Sequence, residues 1–258
     1  MRSVGWCLLA AAALFDLPAA AQETRYDLVI RRGHIIDGTG NPWFQGDVAV
    51  QGDRIVALGS IPADASEQEI DAAGLVVAPG FIDMHSHSDW LLLEDGRAHS
   101  KIRQGVTTEV LGEGGSVGPF QGKLGGRTVT IGGQAVTIVR MRDYFEALEA
   151  SGTAVNVASY VGLDNVWQCV MGQSFDRPTP AQLAEMKTLV AEAMDDGAFG
   201  LSCQLMMPPG SLATTEELVE LCRDAVRPAG GIFSSHIRNE GTGAVSYTHL
   251  TLPTNREV

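Results

Sequence analysis

Residues 78–89, "APGFIDMHSHSD", set two histidines one residue apart behind an apolar run. In a β-strand successive side chains point to opposite faces, so His85 and His87 project from one side, with Asp83 and Asp89 in line. Two imidazoles side by side suggest a metal ion; a surface strand with solvated histidines is the competing reading of H-x-H alone. The flanks favour the metal. Leu75, Val76, Val77 and Ala78 lead through Pro79 and Gly80 into Phe81 and Ile82. That is a nearly continuous apolar strand of the kind a parallel sheet buries on both faces. Buried histidines need partners.

Downstream of Pro79 the texture alternates strand and helix. "HSKIRQG" reads as a short helix, "VTTEVLGEGG" as a strand with a glycine-rich end, "MRDYFEALEASG" as a helix closed by Gly152, and "AVNVASYVG" as a strand. "RTVTIGGQAVTIV" is a hairpin pattern around Gly132 and Gly133, inserted as a loop between the second strand and its helix. Thr179, Pro180 and Gln182 form a capping box that opens a helix ended by Gly197, with Leu183, Met186, Val190 and Met194 on one stripe. "AFGLSCQL" is a short strand, Thr214 and Glu217 open another helix, and "IFSSHIRN" begins a fifth strand. Five βα units in unbroken succession, without a convincing glycine-rich phosphate turn, favour an α/β barrel of the (β/α)8 type over a doubly wound sheet.

Upstream, "YDLVIRRGHIIDG", "GDVAVQGDRIVALG" and "EQEIDAAGLVVAPG" are strand patterns broken by Gly, Asn and Asp. They predict a small β-domain over 22–79, with His34 a structural side chain. The first 21 residues carry Arg2, an apolar stretch and the small-residue run Ala19-Ala20-Ala21. This is the layout of a secretory signal, too short in its apolar part to span a bilayer, and the expectation is a protein exported to the periplasm or secreted. Cys7 falls inside it, leaving Cys169, Cys203 and Cys222, an odd number whose spacing fits neither a disulfide framework nor a zinc ribbon. A formal charge of −13, from 31 acidic and 18 scattered basic residues among 258, argues against a nucleic-acid or anionic-membrane partner.

Barrel chemistry gathers at the carboxyl ends of the strands. The candidates there are His85 and His87 after the first strand, Glu113 in "GEGG" after the second, Cys203 near the end of the fourth and His236 on the fifth. Three imidazoles and a carboxylate suit Zn²⁺ or a similar divalent ion, which lowers the pKa of a bound water toward neutrality. Glu109 shares the parity of Glu113; its position farther from the barrel mouth makes it the weaker candidate.

"GHIIDGTG", "APGFIDMHSHSD", "QGVTTEVLGEGG", "NVASYVG", "DDGAFGLSCQL" and "SSHIRNEG" together resemble the amidohydrolase superfamily, most closely its N-acyl-D-amino-acid deacylase (D-aminoacylase) branch. The likeness covers residues 26–244. It implies a metal-dependent barrel with a small β-domain built from both chain ends, one or two divalent ions, and a hydroxide that attacks the acyl-amide carbon of an N-acyl amino acid. His85 and His87 match the first metal pair and His236 the strand-five ligand. The strand-two ligand of the branch is a cysteine, which aligns near Gly114; Glu113 is the adjacent substitute, since a carboxylate binds or bridges metals as a thiolate does. Lys101, Lys123 and Lys187 are not placed for the carbamylated lysine of hydantoinase-like relatives, and Leu163 stands where many relatives carry a histidine. Arg238, two residues past His236, is placed to form a fork to the substrate carboxylate, a structural ion pair being the other reading. A dipeptidase, a cyclic-amide hydrolase and a non-catalytic exported binding protein are the alternative functions.

The same pattern calls for a strand-six histidine and a strand-eight aspartate acting as general base, and the sequence supplies neither. Residues 245–254, "VSYTHLTLPT", resemble the translation of a sequencing-library adapter. The expectation is therefore a partial barrel over 80–244, truncated after about five βα units. A non-native tail over 245–258 would follow, its His249 no part of a metal site, on an inactive fragment of a longer parent.

Overall fold

Strand-forming residues from Tyr26 onward build a mixed sheet in the structure, a computed structural model that describes residues 26–241. The export signal and the tail read above lie outside the described residues. Strand β2 (Phe44–Gln51) pairs antiparallel with β1 (Tyr26–Ile35) and with β3 (Arg54–Gly59), while β4 (Ser66–Asp71) and β5 (Val76–Val77) pair with β1 in parallel. A register shift between Ile30 and Gly33, with Arg32 at φ 61°, re-aims Arg31 across the sheet. Its guanidinium donates to Asp47 at 3.1 Å, to the Ile61 carbonyl at 2.7 Å and to Glu69. Val29, Ala49 and Ile61 form the small core of this unit.

The chain divides into two compact units, one ending at Pro79 and the other starting at Gly80. This corrects the reading of 75–82 as one apolar strand. Val76 and Val77 pair with His34 and Ile35 in the first unit, whereas β6 (Phe81–Asp83) pairs with a strand of the second. Pro79 has no N–H for a ladder, and at Gly80 a Cβ would fall 2.1 Å from Thr107 Oγ1. Nor is the segment buried on both faces: Phe81 is 63% and Ile82 58% exposed.

In the second unit β6 is followed by the short helices α1 (Leu91–Glu94) and α2 (His99–Ile102), then β7 (Val106–Leu111). The hairpin β8 (Arg127–Ile131) and β9 (Gln134–Ile138) turns on Gly132 and Gly133, both at positive φ, as a two-residue hairpin loop requires. After α3 (Met141–Ser151) come β10 (Asn156–Ser159) and β11 (Val161–Gly162), one strand interrupted at Tyr160. Then follow α4 (Leu163–Met171), α5 (Pro180–Asp195), β12 (Gly200–Gln204), α6 (Thr215–Leu221) and β13 (Ile232–His236). The strands pair in parallel as β6-β7-β10 and β11-β12-β13. Neighbours in the sheet are thus neighbours in the chain. That is the winding of a barrel; a doubly wound sheet reverses its strand order at a switch point.

Both capping boxes close as read, Thr179 with Gln182 and Thr214 with Glu217. Helix α4 is an element that the sequence reading does not reveal. It is amphipathic, with Asp164, Asn165 and Gln168 together on one side, but it is short, follows β11 directly, and has Gly162 at its N-cap with no side-chain cap to mark its start. After α6 the chain widens into a π-helical turn at Cys222–Val226 and then tightens into a 3-10 turn at Arg227–Ala229, which Gly230 ends. Among the described residues no helix is long and apolar enough to cross a membrane.

Asp196, at the end of α5, ties this helix to the start of α3. It accepts from Arg140 Nε at 2.9 Å and Arg142 Nε at 2.6 Å, with its side chain 1% exposed. Burial opposes its ionisation, but the two arginines outweigh burial and hold the carboxyl below the ordinary range. A depressed carboxyl stabilises the fold above its unfolded pKa, near 3.9, and loses that contribution as the pH falls through the folded value. Asp196→Asn is expected to cost about 1–3 kcal/mol at pH 7, with the gap to wild type closing in acid, read by thermal melts across pH.

Candidate metal centre

His85 and His87 leave the carboxyl end of β6, and the residue between them holds them in place. Ser86, 2% exposed, donates its N–H to the Val110 carbonyl of β7 at 3.0 Å and its hydroxyl to Glu109. Lys101 Nζ adds bonds to Asp83 and, at 3.2 Å, to Ser86 Oγ, and stands 3.6 Å from Glu109. With Ser86 turned inward onto this buried carboxylate–lysine network, its two neighbours turn outward together. Their Nε2 atoms lie 3.0 Å apart. The strand itself stops at Asp83, so strand alternation is not what aligns the pair.

His236, the last residue of β13, brings a third imidazole, its ring centroid 5.3 Å from that of His85 at an interplanar angle of 88°. Its Nδ1 meets Glu240 Oε1 at 2.7 Å, an orientation that leaves Nε2 as its remaining donor atom. Glu113 accepts from Ser234 Oγ at 3.1 Å and lines, with His87, a cavity of about 440 Å³. The glycine-rich loop that carries Glu113 is pinned by Gly114 N–H donating to Ser202 Oγ at 3.0 Å. Gly114 sits at φ +79°, and a Cβ there would lie 2.6 Å from the Gln204 side chain. The backbone is therefore shaped against the cysteine that the resemblance implies at this position.

Among the described residues no three His, Cys, Asp or Glu donors close around one point. What the structure brings together is a donor pair, His85 and His87, with a third imidazole and a carboxylate nearby. Nitrogens 3.0 Å apart fit one ion, since two bonds of about 2.0–2.1 Å would subtend roughly 95° there. Two neutral imidazoles also reach this distance by sharing a proton, but that arrangement gives no role to the adjoining His236 and Glu113.

Other residues fall elsewhere. Glu109 is fully buried beneath Ser86 and does not line the cavity. Burial pushes the Cys203 thiol up to about 11, and its Sγ donates to Ser235 Oγ at 3.4 Å, a poor preparation for a thiolate ligand. Arg238 donates to the Ala213 carbonyl at 2.8 Å and does not line the cavity either. Leu163 is fully buried at the start of α4. Ser86 and Glu240 escape the sequence reading, which names Lys101 only to set it aside as a carbamylated ligand; of the three only Glu240, four residues beyond His236, had a local signal.

The cavity is also lined by Asp89, Trp90, Phe120 and Arg127. Burial pushes the Asp89 carboxyl up to about 6, against the opposing pull of His87 and Arg127. Arg127 lies over the Trp90 ring, its Cζ 3.9 Å from the centroid.

Residues 68–235 match the family model described as "Amidohydrolase family". The chain is 39% identical over 236 residues to a D-aminoacylase of Alcaligenes xylosoxydans xylosoxydans, covering 90% of this chain and 49% of that protein. Among solved structures, a D-aminoacylase described as defining a novel subset of amidohydrolases superposes with a TM-score of 0.78 at 37% identity, over 90% of this chain and 49% of that one. An N-acyl-D-glutamate deacylase from Bordetella bronchiseptica, solved with zinc and a phosphonate inhibitor, gives a TM-score of 0.78 at 35% identity, over 89% of this chain and 48% of that one. The chain thus spans about half the length of the relatives it matches.

Proposed function

The chain belongs to the amidohydrolase family, and on that premise we propose that the full-length protein is an exported, metal-dependent deacylase that hydrolyses the amide of N-acyl-D-amino acids. The observation that carries this reading is the pair of His85 and His87 Nε2 atoms 3.0 Å apart at a strand's carboxyl end. The relatives at 35–39% identity support the substrate class, since those proteins act on N-acyl-D-amino acids by name.

His85, His87 and His236, with Glu113, are the residues that would hold the ion, and zinc, one or two ions, is the proposed cofactor. A bound divalent ion supplies Lewis acidity to the acyl carbonyl and a water of lowered pKa. The protein's own part is orientation. Ser86 fixes the histidine pair, and Glu240 fixes which nitrogen of His236 faces inward. Arg238 keeps donors beyond the one given to Ala213 and is the proposed contact for the α-carboxylate. The acidic chain offers no basic surface for nucleic acid, and export rests on the charged, apolar and small-residue order of the first 21 residues.

The test is enantiomer-resolved amine release by the zinc-loaded full-length protein. N-acetyl-D-amino acids should be deacylated and their L enantiomers spared. Release from neither enantiomer, or from the L series alone, would overturn the reading.

A further inference from the structure

The cavity that His87 lines holds a guanidinium, that of Arg127, which makes no hydrogen bond or ion pair among the described residues. Arg127 opens the inserted hairpin and lies over the Trp90 ring, its Cζ 3.9 Å from that ring centroid and 5.9 Å from that of Phe120. The aromatic ring attracts the cation and holds it in place, and among the described residues none of its side-chain N–H groups has a hydrogen-bond partner. Among the described residues no carboxylate lies within 4.0 Å of it; by contrast Lys101 meets Asp83, Arg140 and Arg142 meet Asp196, and Lys187 meets Glu220 and Asp224. Arg127 is also the only lysine or arginine among the residues lining this cavity, which His87 and Glu113 share. The amide of Asn165 on the same wall is spent on the backbone at Ser116 and Pro119.

We propose that Arg127, held against Trp90, is the position in this cavity that binds a carboxylate of the substrate. Asp89 and Glu113 line the same space and, when charged, repel an anion from their own surroundings. The guanidinium therefore decides where along the cavity a carboxylate settles, and its planar fork matches the two oxygens. The carboxylate has two sources in an N-acyl amino acid: the α-carboxylate, or the side chain of an acidic residue. The inference rests on the deacylase reading for its ligand class, but its test does not need turnover.

Binding of N-acetyl-D-leucine, N-acetyl-D-glutamate and N-acetyl-D-leucinamide to the metal-free full-length protein is measured by calorimetry for wild type, Arg127→Met and Arg127→Lys. Arg127→Met should weaken binding of a carboxylate ligand by about tenfold or more, as loss of a charged hydrogen-bond partner does. Arg127→Lys should recover part of it, and the leucinamide should be unaffected. Weakening of both acids assigns the α-carboxylate to Arg127 and withdraws it from Arg238; weakening of the glutamate derivative alone assigns the side-chain carboxylate to Arg127 and leaves the α-carboxylate to Arg238. Equal affinities in wild type and Arg127→Met, an equal loss for the leucinamide, or no binding of either acid by wild type would overturn the inference. Arg127-dependent binding without hydrolysis once zinc is added would count against the deacylase reading alone.

Discussion

Replacing His85 and His87 together by alanine is expected to remove at least one equivalent of bound zinc and to lower turnover about a thousandfold or more, since the ion supplies several kcal/mol of transition-state stabilisation. The substitution acts on the site and spares the fold. Both rings are exposed, and the bonds that hold their segment run through Ser86, to Val110 and Glu109, and not through the imidazoles. The melting temperature should therefore move little, as for surface positions generally. If zinc were held elsewhere, the double variant would keep its full metal content. Metal analysis of protein dialysed against a small excess of zinc, beside kcat for an N-acetyl-D-amino acid, separates the two outcomes.

The second large effect distinguishes the two carboxylates of the second barrel strand. Glu113→Gln keeps an oxygen for the Ser234 hydroxyl, now 3.1 Å from Oε2, and the volume of the side chain, but removes the charge that faces the cavity. It should cost at least one metal equivalent and most turnover, with little change in melting. Glu109→Gln should do the reverse. Its carboxylate is fully buried against Ser86 and Lys101, so the change weakens the network under the histidines and should cost about 1–3 kcal/mol of stability. Metal bound per folded molecule should stay as in wild type. Equal metal content in wild type and Glu113→Gln would remove Glu113 from the site.

Much of this was legible in the sequence wherever the determinant is local. The Thr179–Gln182 and Thr214–Glu217 boxes, and the paired glycines of the hairpin, need only their neighbours and a backbone preference. Helix α4 was not legible, because it starts on Gly162, without a capping side chain, at the end of a strand, and nothing in the sequence marks where the strand stops and the helix begins. The run across Pro79 misled for a related reason: hydrophobicity does not say which sheet a residue joins, and Val77 and Phe81 join different ones. At the site, H-x-H was readable as a donor pair. What aligns it, Ser86 on Glu109 and Lys101, lies 23 and 15 residues away and depends on the fold being formed. Arg127 on Trp90 is likewise a contact between a loop and an inserted hairpin, which no spacing rule connects.

The most direct measurement strips the full-length protein of metal and adds zinc back while following release of the free amino acid from an N-acetyl-D-amino acid and from its L enantiomer. Cleavage of the D substrate should vanish with the metal and return with it, in wild type but not in the His85→Ala, His87→Ala protein. Hydrolysis that survives complete metal removal, or returns equally in the double variant, would contradict the assignment of these histidines as the core of the active site.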